Sequence, residues 1–121
     1  MKTIHADTLT GALAQADDAP ILVVNNEANV PSAAVASLRD AYAGASVLLV
    51  RTVRQYGQHS ELIDGRFHER PLIAESTVGC GCYILTADVL EFARSREITS
   101  VAKLFNAVRD AGLPFLTHEW L

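Results

Sequence analysis

The strongest pattern in the chain is a series of short, unbroken apolar runs alternating with stretches of helical spacing. Ile21–Val24 reads Ile-Leu-Val-Val, and Val47–Val53 is again nearly all apolar. Such runs belong to strands buried on both faces, usually in parallel sheets. Between them Pro31–Ser32 opens a helix with Val35, Leu38 and Tyr42 on one face, and Gly44 closes it. Strand, helix, strand in that order is a βαβ unit, expected to cross over right-handedly. Ahead of it, Asp7 or Thr8 caps a short helix carrying Leu9, Ala12, Leu13 and Ala16, which Asp17–Asp18 and Pro20 end.

Leu62–Ile63, Asp64–Gly65 and Arg66–His68 predict a hairpin, since Asp-Gly is a strong two-residue turn signal. Gly81–Leu85 predicts a further strand. Thr86 caps a helix with Val89, Leu90 and Phe92, and Thr99 or Ser100 caps another with Val101, Leu104, Phe105 and Val108. Gly112 ends that helix, and Pro114–Trp120 is a last extended segment. The predicted order is helix, β, α, β, β-hairpin, β, α, α, β. It implies a single α/β domain over residues 1–121, with a mixed β-sheet flanked by helices.

Composition narrows the picture. Half of the 121 residues are hydrophobic, enough for a packed core. The net charge of −4 argues against non-specific nucleic-acid binding, which needs a basic surface. Met1–Asp7 is polar and mixed, unlike a signal peptide, and no apolar run nears the ~20 residues that span a bilayer. Cys80 and Cys82 lie two apart in a strand and face the same way, which strains a mutual disulfide. A reduced, cytoplasmic protein is the simplest reading. Of the ten basic residues only Lys2 and Lys103 are lysine. Arg51, Arg54, Arg66 and Arg70 fall close together, and guanidinium groups suit phosphate or carboxylate.

Several short signatures then occur in a telling order. They are Thr10-Gly11-Ala12-Leu13, Leu22-Val23-Val24-Asn25-Asn26-Glu27, Tyr56-Gly57, Asp64-Gly65-Arg66, Phe67-His68-Glu69-Arg70-Pro71, Gly79-Cys80-Gly81-Cys82-Tyr83-Ile84-Leu85 and His118-Glu119-Trp120-Leu121. In that sequence they resemble the G-T-A-x-A-L, L-V-V-N-G-D, Y-G, D-G-R, F-x-E-K-P, N-A-G-I-Y-x-L and H-E-G-Y-W-L-D motifs of the sugar-phosphate nucleotidyltransferases, or nucleotide-sugar pyrophosphorylases. The resemblance covers nearly the whole chain and matches the C-terminal two-thirds of that family's catalytic domain. It implies a truncated, nucleotidyltransferase-like sandwich with a Rossmann-like character.

The resemblance also assigns roles. Glu69 would hold sugar hydroxyls and Arg70 the phosphate, with Tyr56, Gly57 and Gly79 lining the same ligand. Glu27 stands where the family has a Mg²⁺-binding Asp. Departures are as informative. No G-x-G-T-R-L loop is present to wrap a triphosphate with backbone N–H groups. Gly79 replaces the family's Asn, and the second metal-binding Asp would follow Leu121. The expectation is therefore a non-catalytic module, without a cofactor, that binds a phosphorylated sugar, a nucleotide or a protein partner. Mg²⁺ enters only if the chain is catalytic. The alternatives are a nucleotidyltransferase fragment completed by a second chain, and a structural assembly protein. In the family a neighbouring strand precedes the one matching Ile21–Val24. Because none is expected here, that strand is predicted to lie at an open edge and to drive self-association, most simply as a homodimer.

Overall fold

Side-chain alternation in one strand pair sets the layering. A computed structural model describes residues Met1–Leu121. Its elements are β1 (Lys2–Ala6), α1 (Leu9–Gln15), β2 (Ile21–Asn25), α2 (Ser32–Ala41), β3 (Ser46–Tyr56), β4 (Glu61–Ile63), β5 (Arg66–His68), β6 (Leu72–Leu85), α3 (Ala87–Ser95), α4 (Val101–Asp110) and β7 (Phe115–Glu119). On β2 and β6, Ile21, Val23, Tyr83 and Leu85 face a layer formed by α1, α3 and α4. Leu22, Cys82 and Ile84 face the other way, onto Ala34 and Leu38 of α2. Both sides are sealed, which is why these strands read as unbroken apolar runs rather than alternating ones.

The five-stranded sheet has the order β1-β2-β6-β3-β7. β1 is parallel to β2 and β3 is parallel to β7, while β6 runs antiparallel between the two pairs. This bears out the mixed α/β sandwich. One premise is corrected. Ile21–Val24 is not an open edge, because the N-terminal Lys2–Ala6 pairs with it from Lys2↔Ile21 to Ala6↔Asn25. Only Ile4 and Ala6 of β1 are buried, so its apolar signal was too short to predict a strand. Handedness is the second difference. β1→β2 and β2→β3 step the same way across the sheet, yet α1 and α2 lie on opposite faces. The two crossovers therefore have opposite hands, and only one obeys the usual rule.

The predicted caps resolve locally. Thr8 caps α1, its Oγ1 accepting the Gly11 N–H at 3.0 Å, and Ser100 caps α4 through the Lys103 N–H at 3.2 Å. Thr86 turns its hydroxyl to Asp88 instead and makes no side-chain cap.

Two strands outrun the prediction. β3 continues to Tyr56 and β6 begins at Leu72, and they pair from Arg51↔Val78 to Tyr56↔Leu72 as a ribbon that leaves the body of the sheet. The β4–β5 hairpin hangs from its end, built on the Asp64–Gly65 turn, where both residues take positive φ (51° and 79°). A register shift where Gly79 and Tyr83 pair with Val50 and Leu48 marks the point at which β6 leaves the body. Gly81 sits inside it with φ 76°, and a Cβ there would lie 2.5 Å from Ala28 Cβ. Gly81→Ala is therefore expected to destabilise the protein by roughly 2–5 kcal/mol, from left-handed backbone strain plus overpacking. Gly44→Ala, at φ 97° with open space around it, should cost only about 1–2 kcal/mol. Urea unfolding of the two variants checks the contrast.

Candidate functional site

The carboxyl ends of the parallel strands β1, β2, β3 and β7 meet at one end of the sheet, the customary place for ligands in α/β folds. Chain reversal after β2 is fixed by side chains of the turn itself. Asn25 Oδ1 accepts the Glu27 N–H at 2.9 Å, the Asn26 N–H donates to Ala6 O at 3.0 Å, and Asn26 Nδ2 donates to Asp7 Oδ1 at 3.0 Å. Glu27 is thereby held on an exposed turn. No group of three or more His, Cys, Asp or Glu gathers there or elsewhere. The other carboxylates at this end are engaged as well, Asp7 by Asn26 and Glu119 by the Thr52 hydroxyl. Mg²⁺ demands a near-octahedral set of oxygens, and the residues present do not fit it.

Two clefts open at this end. On the α1/α4 side a cleft of about 280 Å³ is lined by Asp7, Thr8, Asn25, Gly81, Tyr83 and Ser100, among others. Burial, then the neighbouring Cys82, pushes the Tyr83 phenol up to about 12, so it is a neutral hydroxyl at physiological pH. On the α2 side a larger cleft of about 450 Å³ lies between the start of α2 and the sheet, lined by Asn29, Pro31, Arg51, Gly79, Cys80 and Trp120 with apolar neighbours. Its parts come from four elements. Leu49 turns inward to the α2 core, so Arg51, two residues on, emerges on the same face as β3 leaves the body. Trp120 is anchored by its N–H, which donates to Val50 O at 2.8 Å, and its ring packs beside the α2 core. Gly79 has nothing within 4 Å of where a Cβ would stand, so the cleft is open at that point. The N-cap of α2 is Pro31, with no side chain capping the first turn, so the positive end of the helix is left for another acceptor.

Cys80 borders the same cleft and Cys82 lies fully buried behind it, both free and on one face as the spacing predicts. Burial raises the Cys80 thiol, opposed by Arg51. Burial also raises Cys82 to about 11, with Arg39 opposing and Cys80 adding to it. Neither is an activated nucleophile.

The residues implied by the resemblance divide into two groups. Gly79 lies in the larger cleft. Tyr56, Gly57, Glu69 and Arg70 lie at the far end of the ribbon. There the Gly57 N–H donates to Pro71 O at 2.8 Å and brings the Tyr-Gly and Glu-Arg-Pro segments side by side. Val78 lies six positions along β6 from Leu72, a span of about 20 Å at the usual strand rise. Glu69 and Arg70 are both exposed, and the two ion pairs of the protein, Lys2–Asp17 and Arg54–Glu75, include neither. Sequence reasoning did not place Arg51, Asn29, Cys80 and Trp120 together. The available signal was the Leu49/Arg51 alternation at the end of an apolar run.

No protein-family model matches the chain, and no curated protein does. Among solved structures, its fold is similar to the crystal structure of 2-C-methyl-D-erythritol 4-phosphate cytidylyltransferase (IspD) from Francisella tularensis. The identity is 14%, the match covers 90% of this chain and 55% of that one, and the TM-score is 0.50. The fold is nucleotidyltransferase-like. The chain spans about half the length of that enzyme, and at this identity the likeness speaks for the fold alone. No helix is long and apolar enough to cross a membrane.

The buried acids give a testable pH dependence. A thiol or phenol that ionises less readily folded than unfolded stabilises the fold fully below its unfolded value, and that contribution is lost as pH rises toward the folded value. Cys82 moves from 9.0 to about 11 and Tyr83 from 10.0 to about 12. The melting temperature should fall steadily between pH 9 and 11. In Cys82→Ala the fall above pH 9 should be shallower, with Cys80 still contributing, and should start from a lower melting temperature. A melting temperature that is flat to pH 11 would contradict the burial assigned to both groups.

Proposed function

We propose that the chain is a non-catalytic, nucleotidyltransferase-like module that binds a phosphorylated sugar or nucleotide and self-associates, in a reducing cytoplasmic setting. The observation that carries this reading is the larger cleft, where Arg51 and the uncapped start of α2 face one open space beside Gly79 and the Trp120 ring. A guanidinium and a helix N-terminus together suit a phosphate. An aromatic ring suits the flat or apolar part of the same molecule. The likeness to a cytidylyltransferase, whose name specifies a phosphorylated substrate, agrees with this ligand class. The lack of catalysis is supported by the poor fit of the Glu27 turn to Mg²⁺ and by the want of any Gly-rich triphosphate loop in the sequence. Glu69 and Arg70 would make a second contact region on the ribbon, open to a ligand or a protein partner.

One observation favours a second reading. The chain matches only 55% of the cytidylyltransferase. A separate polypeptide that supplies the nucleotide-gripping part would turn the same cleft into part of an active site.

A thermal-shift series with inorganic phosphate, nucleoside phosphates and sugar 1-phosphates tests the binding reading. At least one phosphorylated compound should raise the melting temperature, and Arg51→Ala should weaken its binding. Loss of a charge-assisted hydrogen bond worth about 1.5–3 kcal/mol corresponds to roughly 10- to 150-fold in affinity. Arg70→Ala should leave binding in the cleft intact. If no compound shifts melting, the binding reading falls and an assembly role takes its place. Pyrophosphate release by the purified chain, given a nucleoside triphosphate, Mg²⁺ and a sugar 1-phosphate, would overturn the non-catalytic assignment.

A further inference from the structure

The smaller cleft, on the opposite face of the sheet from Arg51, contains a polar group that the fold leaves unused. Tyr83 is only 4% exposed, yet its hydroxyl makes no hydrogen bond within the protein. Ser46, the other buried residue with a hydroxyl outside the helices, is fully satisfied by the Thr86 hydroxyl and N–H, each at 2.9 Å. A buried hydroxyl without a partner is costly and rare in a native fold. No side-chain nitrogen or oxygen that is sealed from solvent lacks a partner. The Tyr83 oxygen is therefore not sealed, and it opens into the cleft that the residue lines.

Two walls of opposite polarity flank it. One is the start of α4. The Ser100 hydroxyl accepts only the Lys103 N–H, at 3.2 Å, so the N–H groups of Val101 and Ala102 are left without a partner. The first turn of α4 carries no acidic residue, and the positive end of the helix is uncompensated. The other wall comes from the ends of β1 and β2. Asp7 accepts the Asn26 amide through Oδ1 and has its second oxygen free. Asn25 is bound through Oδ1 to the Glu27 N–H, with its own amide N–H groups free. No Lys or Arg lines the cleft. A phosphate would face Asp7 with no cation to offset it, and a simple amine would face the positive end of α4.

We propose that this cleft binds a free α-amino acid as its zwitterion. The carboxylate takes the α4 N–H groups and the Tyr83 hydroxyl, and the ammonium group takes Asp7. Both poles are then matched, and the Tyr83 hydroxyl gains the partner that the protein does not supply. Leu9 and Val101 leave an apolar margin for an aliphatic side chain. The cleft, at about 280 Å³, lies just below the roughly 300–1,000 Å³ of sites for drug-sized ligands, which suits so small a molecule. The site is separate from the larger cleft and does not rest on the reading given for it.

Calorimetric titration of the full chain with each of the twenty standard L-amino acids at millimolar concentration tests the assignment. At least one should bind. Tyr83→Phe should leave the melting temperature of the free protein unchanged or higher, because its hydroxyl has no protein partner to lose. The same variant should weaken amino-acid binding at least tenfold, as expected for a lost hydrogen bond to a charged group. Asp7→Asn keeps an oxygen for Asn26 but loses the charge, and it should also weaken binding at least tenfold. The N-acetyl derivative of the bound amino acid, and the amine that lacks its carboxylate, should each bind at least tenfold more weakly. The site is refuted when no amino acid binds, or when binding survives either variant intact. Inorganic phosphate that binds the natural chain but not Tyr83→Phe would replace the zwitterion with a simple anion and overturn the proposal. Should Asp7→Asn disturb the far-ultraviolet circular dichroism, the N-acetyl derivative tests the same contact on the natural chain.

Discussion

Everything in this domain hangs on the last third of β6. Without it, β1–β2 and β3–β7 would be two separate parallel pairs. β6 closes the gap between them antiparallel, hydrogen-bonded on both sides, and sends Cys82 and Ile84 to one core and Tyr83 and Leu85 to the other. All four of these residues are buried. The two hydrophobic layers thus share this strand, as they share β2, and neither can pack without the other. The strand must also leave the body as a free ribbon, and Gly81 makes that change of course, with a positive φ that L side chains adopt only under strain and with no room for a Cβ beside Ala28.

That geometry places the chemistry. As β3 and β6 leave the body they open the larger cleft, with Arg51 on one strand, Gly79 and Cys80 on the other, α2 above and Trp120 closing the side. A fully sealed sheet would have buried Arg51 against apolar neighbours at a large desolvation cost. At the root of the ribbon the guanidinium can reach solvent or an anion. The raised thiols fit the same account, since the two cysteines sit where the strand passes from the sealed core to the open cleft.

The sequence made the sandwich legible because burial on both faces removes polar residues from a strand. Ile21–Val24, Val47–Val53 and Gly81–Leu85 therefore stand out from the chain, as do the helices with a single apolar face. The Asp64–Gly65 turn was legible for a different reason, the conformational tolerance of those two residues. β1 was not, because a five-residue strand at the edge with two buried side chains leaves almost no periodic trace. The ribbon was not, because exposed strands held only by each other carry Thr, Arg, Gln, Glu and Ser as readily as apolar residues.

The candidate site shows the same division. Local chemistry set by a few neighbouring residues, such as the Thr8 and Ser100 caps and the Asp64–Gly65 turn, could be read along the chain. The grouping of Asn29, Arg51, Gly79 and Trp120 depends on strand order, on the face that α2 covers and on the point where β6 bends away. It could not be read from the chain, because strand order is settled by long-range pairing. Sequence by itself determined which segments must be buried and which turns must form. Tertiary structure alone decided which distant side chains share a cleft and which edge of the sheet stays open, since both follow from contacts between residues far apart in the chain.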